Sequence, residues 1–133
     1  MLFQNRADKL FEQGEEQLQR EQYSLAIDTF SKVIKIEGND AVVSRLNRGV
    51  ARLHLTMSNQ SSGDDEQSPE ERLKLCIEDF SIAINRVNSQ TKKSSTAAKI
   101  LAELHYRRAQ SVMWLGKFQE SIKDMNEAIR QNS

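Results

Sequence analysis

Two histidines, one cysteine and 19 acidic residues are the raw material for chemistry in this chain of 133 residues. General acid–base or nucleophilic catalysis needs such groups within hydrogen-bond reach of one another. His54 and His105 fall in different segments, and no acidic or nucleophilic residue is spaced with either as a motif. Cys76 stands in an apolar run, the setting of an inert packed thiol rather than a nucleophile. There is no glycine-rich phosphate loop and no Cys/His metal-ligand spacing. No cofactor and no metal are implied, and an enzyme is not expected. Recognition is the chemistry these residue types suit best. Tyr106, Arg107, Gln110 and Trp114 place two aromatics, an arginine and an amide on successive turns of one segment, and aromatic and arginine anchors dominate interface energies.

Composition narrows the partner. Lys+Arg and Asp+Glu are both 19, so no global field draws the chain to nucleic acid or to an anionic membrane. Lys92-Lys93 is too short for a nucleic-acid patch. A single cysteine cannot form an internal disulfide, which suits a reducing compartment. Met1-Leu2-Phe3-Gln4-Asn5-Arg6 lacks the apolar run of a signal peptide, and no stretch approaches the ~18 apolar residues of a membrane span. A soluble, cytoplasmic protein of one domain, residues 1–133, is expected.

The elements that must position these residues read as helices. With one proline and five glycines, the chain fits mostly helix with short turns. Leu10, Gly14 and Leu18 mark a helix over about 5–19, and Arg20-Glu21-Gln22 turns the chain. Ala26, Ile27, Phe30, Val33 and Ile34 form one face of a second helix, from Tyr23 to about Ile36, which Gly38-Asn39-Asp40 ends. A third, about 41–57, carries Leu46, Gly49, Val50, Leu53 and Leu55. Residues 58–67 contain no apolar residue to bury and read as a loop. Ser68-Pro69-Glu70-Glu71 restarts helix with a capping serine, a proline suited to the first turn and a glutamate completing a capping box. That helix reaches about Val87. A polar loop over 88–95 follows, then a long helix capped by Ser95 or Thr96 that reaches Leu115. A last helix spans about Phe118 to Arg130.

Three of these helices rhyme. Ala26-Ile27-x-x-Phe30, Cys76-Ile77-x-x-Phe80 and Ser121-Ile122-x-x-Met125 each put a small residue first, isoleucine next and a large apolar residue four after the small one. Another isoleucine stands seven after the first, at Ile34, Ile84 and Ile129. The small residues Gly14, Gly49 and Ala109 on the preceding helices let the members of each pair touch. Gly14 to Ala26 and Ala109 to Ser121 are both steps of 12 residues.

On these residues the chain resembles the tetratricopeptide repeat family, over roughly residues 7–133. Repeat one covers about 7–40, repeat two about 42–90 and repeat three about 96–133. Repeat two departs from the pattern, with about 15 residues inserted between its helices and about 11 more before repeat three than the ~34-residue period allows. Arg45, Arg48 and Arg52, with Gln13 and Gln17 in repeat one, occupy positions where apolar residues are usual, and read as long stems snorkelling from partly exposed faces.

The resemblance implies an all-α, right-handed α-solenoid of three antiparallel hairpins, a non-catalytic adaptor whose first helices line a concave groove for a partner peptide or helix. By repeat position that groove holds Phe11, Glu15, Leu18 and Gln19, then Leu46, Asn47, Val50, Leu53 and His54. Repeat three adds Glu103, Tyr106, Arg107, Gln110, Met113 and Trp114. The best-known use of the family is a clamp for the acidic C-terminal tail of a chaperone. Only Asn47 and Arg107 match its pattern. Phe11, Glu15 and Glu103 hold the other three positions, and like charge at an interface costs several kcal/mol, so a chaperone tail is disfavoured. A co-chaperone adaptor with this incomplete clamp is the runner-up. A structural role is the other alternative, as a homodimer through a C-terminal helix that no capping helix covers. Ser62, with Asp65 three residues on, and Ser68, before Pro69, are candidate phosphorylation sites. Phosphate on Ser68 would sit at a helix N-terminus and stabilise it.

Overall fold

The computed structural model describes residues 5–58, 67–90 and 94–132. These form six α-helices, α1 (Arg6–Gln19), α2 (Tyr23–Glu37), α3 (Val42–Met57), α4 (Pro69–Asn88), α5 (Ser95–Trp114) and α6 (Phe118–Gln131). A single 3-10 turn, Gly38–Asp40, follows α2, and no strand occurs among the described residues. The expected loop 58–67 and the candidate phosphosite Ser62 fall largely outside the described residues. Ser68 lies within them and is exposed.

Local signals set the helix ends. Asn5 caps α1, its side chain accepting from Asp8 N at 2.8 Å. Ser68 caps α4 by accepting from Glu71 N at 3.1 Å, with Pro69 in the first turn. The cap of α5 is Ser94, one residue before the expected Ser95 or Thr96. Its extended backbone (φ −78°, ψ 170°) lets its Oγ accept from Ala97 N at 3.1 Å, while Ser95 and Thr96 already belong to the helix. The turns after α1 and α5 share one geometry. Gln22 N donates to Gln17 O at 2.8 Å, and Lys117 N to Val112 O at 3.0 Å. The residue between lies at positive φ in both: Gly116 at 83°, but Glu21 at 60°. Glycine takes this left-handed position freely, and glutamate takes it under strain.

Each helix packs on its sequence neighbours, and α1 also touches α3, as α3 touches α5. In the first and last pairs the contacts run in opposite senses: Gly14 faces Phe30 while Gln17 faces Thr29, and Ala109 meets Ser121 while His105 meets Asp124. Ala26, Cys76 and Ser121 are buried at 0, 0 and 3 % exposure, as the repeated pattern predicts. The glycines are needed for close approach. A Cβ on Gly14 would come within 2.8 Å of the Phe30 ring, and one on Gly49 would strike Phe80. In the third pair the slot is Ala109, whose carbonyl accepts from Ser121 Oγ at 2.9 Å.

The arginines of α3 do not snorkel. Arg45, Arg48 and Arg52 converge on the carboxylate of Asp79, which is 2 % exposed. Arg48 grips it with two bonds, Nε to Oδ2 at 2.8 Å and Nη2 to Oδ1 at 2.6 Å. Arg52 Nη1 lies 3.0 Å from Oδ2 and Arg45 Nη1 3.3 Å from Oδ1. Gln17 likewise turns inward and accepts from Thr29 Oγ1 at 2.7 Å. A charge held 31 residues away explains why the apolar pattern could be broken here. The motif recurs in the last pair. Arg108 holds Asp124 through Nε (2.9 Å) and Nη2 (2.8 Å), with His105 Nδ1 2.9 Å from the same carboxylate. Each arginine also reaches back one hairpin, Arg48 Nη1 to Ser31 Oγ at 3.1 Å and Arg108 Nη1 to Ser81 Oγ at 3.0 Å. One guanidinium thus joins three helices, using its planar fork of donors.

Candidate functional site

The recognition residues expected from the sequence divide into three sets. Leu46, Val50 and Leu53 belong to the core shared by α3, α4 and α5, with Cys76, Phe80, Leu101 and Leu104, so their side chains offer no free surface. Phe11 and Leu18 are half-buried against the α1–α2 core, Phe11 meeting Phe30 edge-on with ring centroids 5.8 Å apart. The remainder reach solvent.

On α5 the solvent-facing residues are organised into a network. Arg107 Nε donates to Glu103 Oε1 at 2.8 Å and Nη1 to Gln110 Oε1 at 3.2 Å. The guanidinium carbon lies 5.5 Å from the Tyr106 ring centroid, and Gln110 Nε2 donates to the Tyr106 hydroxyl at 3.3 Å. Helical spacing accounts for this: Glu103, Arg107 and Gln110 are three and four residues apart and therefore lie on one face. Tyr106 remains 38 % exposed although its neighbours hold it in place.

His54 of α3 belongs to the same surface. Its ring stacks on Tyr23 with centroids 5.4 Å apart and planes at 19°. Burial pushes its imidazole below the ordinary histidine value and the nearby positive charge of Arg107 pushes it further, with Glu21 opposing. Burial, then Glu21, raises the Tyr23 phenol. Asn47 is half-buried, and Glu15 and Gln19 are exposed on α1. Trp114, 56 % exposed, borders a separate crevice of about 480 Å³ with Leu73, Pro69 and Leu115. Met113 is exposed nearby in sequence.

The cysteine is not a poised nucleophile. Cys76 is fully buried and its thiol is pushed up to about 12 by burial, with Arg52 pulling weakly the other way. Among the described residues no three His, Cys, Asp or Glu side chains are placed to hold a metal ion. Among them, too, no helix is long and apolar enough to cross a membrane.

The polar clusters on Asp79 and Asp124 were not anticipated. A signal did exist in the spacing: Thr29, Asp79 and Asp124 each stand three after the small residue of their helix, and Arg48 and Arg108 each stand one before Gly49 and Ala109. No family model matches the chain, and no curated protein sequence matches it.

Proposed function

We propose that this chain is a tetratricopeptide-type interaction module, three hairpins in a right-handed solenoid, that holds a segment of a protein partner across the face of α1, α3 and α5. The observation that carries this reading is the Glu103–Tyr106–Arg107–Gln110 network beside His54. Its side chains are held in place by one another rather than by the core, and an ordered aromatic–arginine pair left in solvent costs little further entropy on binding. The module performs no chemistry of its own. The paired glycines and phenylalanines and the twice-repeated arginine latch support the repeat assignment.

Charge selects the partner. Glu103 already neutralises Arg107, and Glu15 adds a second exposed carboxylate, so an acidic chaperone tail meets repulsion and an occupied cation. A neutral segment with an aliphatic or aromatic anchor fits better. The lone Cys76, free and buried, suits a reducing compartment such as the cytoplasm.

The test compares proteins captured by the wild-type chain and by Tyr106→Ala/Arg107→Ala. Partners lost from the double variant support the groove, and retention of every partner overturns it. Titration with an acidic C-terminal peptide checks the charge argument, which fails if the affinity is tighter than ~10 μM. The alternative role in assembly rests on a different surface, the outer face of α6, where Phe118, Ile122 and Ile129 are 65, 58 and 64 % exposed.

A further inference from the structure

The two buried carboxylates follow one plan, and the second lacks a member. On α3 the positions four before, one before and three after Gly49 are Arg45, Arg48 and Arg52, and all three reach Asp79. On α5 the same positions about Ala109 are His105, Arg108 and Val112. His105 and Arg108 reach Asp124 as Arg45 and Arg48 reach Asp79, and both central arginines extend to a serine of the preceding hairpin. Val112 has no group to donate. The difference falls on one oxygen. Asp79 Oδ2 accepts from Arg48 Nε at 2.8 Å and from Arg52 Nη1 at 3.0 Å. Asp124 Oδ2 accepts from Arg108 Nε at 2.9 Å, and Val112 stands where the second donor would be.

Beside Val112 lies a crevice of about 280 Å³ between α4, α5 and α6. Its lining combines the aliphatic Ile77 and Val112 with Ser81, the buried Asp124 and the exposed Glu120 and Lys123. An arginine suits this set, because its methylene stem packs on aliphatic side chains while its planar fork of donors meets carboxylates. We infer that the crevice receives an arginine side chain of a protein partner, which donates to Asp124 Oδ2 and to Glu120 in the place that Arg52 takes at Asp79.

Charge selects the same occupant. Glu120 stands where α4 has Leu75, so this crevice holds a second carboxylate that the complete cluster lacks. Lys123, at the position of Glu78, opposes a cation, but it is exposed and its long stem lets the ammonium turn to water. An anion would meet Asp124 and Glu120, and the Arg108 guanidinium is already bound to Asp124 through Nε and Nη2. The crevice is also smaller than the roughly 300–1,000 Å³ of small-molecule pockets, which fits one side chain of a docked protein. At Asp79 the place is filled by Arg52 of the same hairpin, not by the hairpin that follows. The crevice shares no lining residue with the Glu103–Arg107 network or with His54, so the inference stands or falls independently of the groove.

The test titrates the full, isotope-labelled chain with a capped alanine pentapeptide carrying a central arginine, and follows the backbone amide resonances. The assignment is supported by shifts that cluster at Ile77, Ser81, Val112 and Glu120 and vanish when norleucine replaces the arginine. Binding should weaken about twofold or more in Glu120→Gln and tighten in Lys123→Gln. Both positions are exposed, so the variants keep the fold, which the melting temperature verifies. No clustered shift at roughly 20 mM peptide, equal shifts with norleucine, or binding indifferent to both substitutions overturns the assignment. Free L-arginine that binds more tightly than the peptide also overturns it, because the occupant would then be a small molecule.

Discussion

Asp79→Asn isolates the buried charge cluster with almost no change in shape. The native carboxylate takes four hydrogen bonds from three arginines whose side chains are 15, 17 and 15 % exposed. Arginine cannot shed its proton, so the amide leaves three mutually repelling cations with one weak acceptor. Removing one partner from a buried pair costs about 3–5 kcal/mol, and the slight exposure of these guanidinium groups places the expected loss near ~3–4 kcal/mol. With an unfolding entropy of ~2.1 cal/mol/K per residue, that lowers the Tm by roughly 10–15 °C. Urea denaturation followed by far-UV circular dichroism reads the loss as a lower midpoint at unchanged slope. Asp40→Asn, which breaks the exposed Arg86–Asp40 pair, is the control and should lose less than ~1 kcal/mol. Arg45→Leu added to Asp79→Asn should recover part of the loss, since it removes the cation with the longest contact to the carboxylate, 3.3 Å, whose Nε is buried without a partner. A loss below ~1 kcal/mol for Asp79→Asn would refute the reasoning, because the cluster would then behave as a solvated one.

Two further outcomes are expected. Glu21→Gly should raise stability by ~0.5–1 kcal/mol in the same denaturation assay, because it relieves a glutamate at φ 60° where the equivalent turn uses Gly116; a loss would mean that the Glu21 side chain matters more than its backbone. Stability should fall with acid in two windows. Burial alone would raise Asp124, but hydrogen bonds from His105 and Arg108 outweigh it and hold the carboxyl below 3.8, so its contribution is full above that value and is lost as pH drops through the folded one. The depressed His54 acts higher: the fold favours the neutral ring, and stability declines as pH falls below 6.5. His54→Gln should abolish the upper window and Asp124→Asn the lower, as measured by midpoints across pH; an unchanged profile in either variant would contradict its assignment.

What the amino-acid order settled by itself is what neighbours along the chain decide. Helix existence and ends follow from apolar spacing, from Ser68-Pro69 and from the Gly116 turn, all read within a few residues. The packing of neighbouring helices was also legible, because Gly14 with Ala26 and Ala109 with Ser121 sit at one shared spacing and a small residue is what lets two helices approach. Tertiary structure alone decided where the charges went. Arg48 and Asp79 are 31 residues apart, and Arg48 and Ser31 are 17. Only the parallel between Arg48 before Gly49 and Arg108 before Ala109 separates a stem reaching water from a guanidinium clamped on a carboxylate, and it does not name the carboxylate. The same holds for the recognition surface. Leu46 and Val50 share a helix face with Asn47 and His54, and only the approach of α4 and α5 determines which of them the core takes and which it leaves to solvent. Periodicity reports that a face is apolar; what lies across from it is settled by packing between segments far apart in the chain.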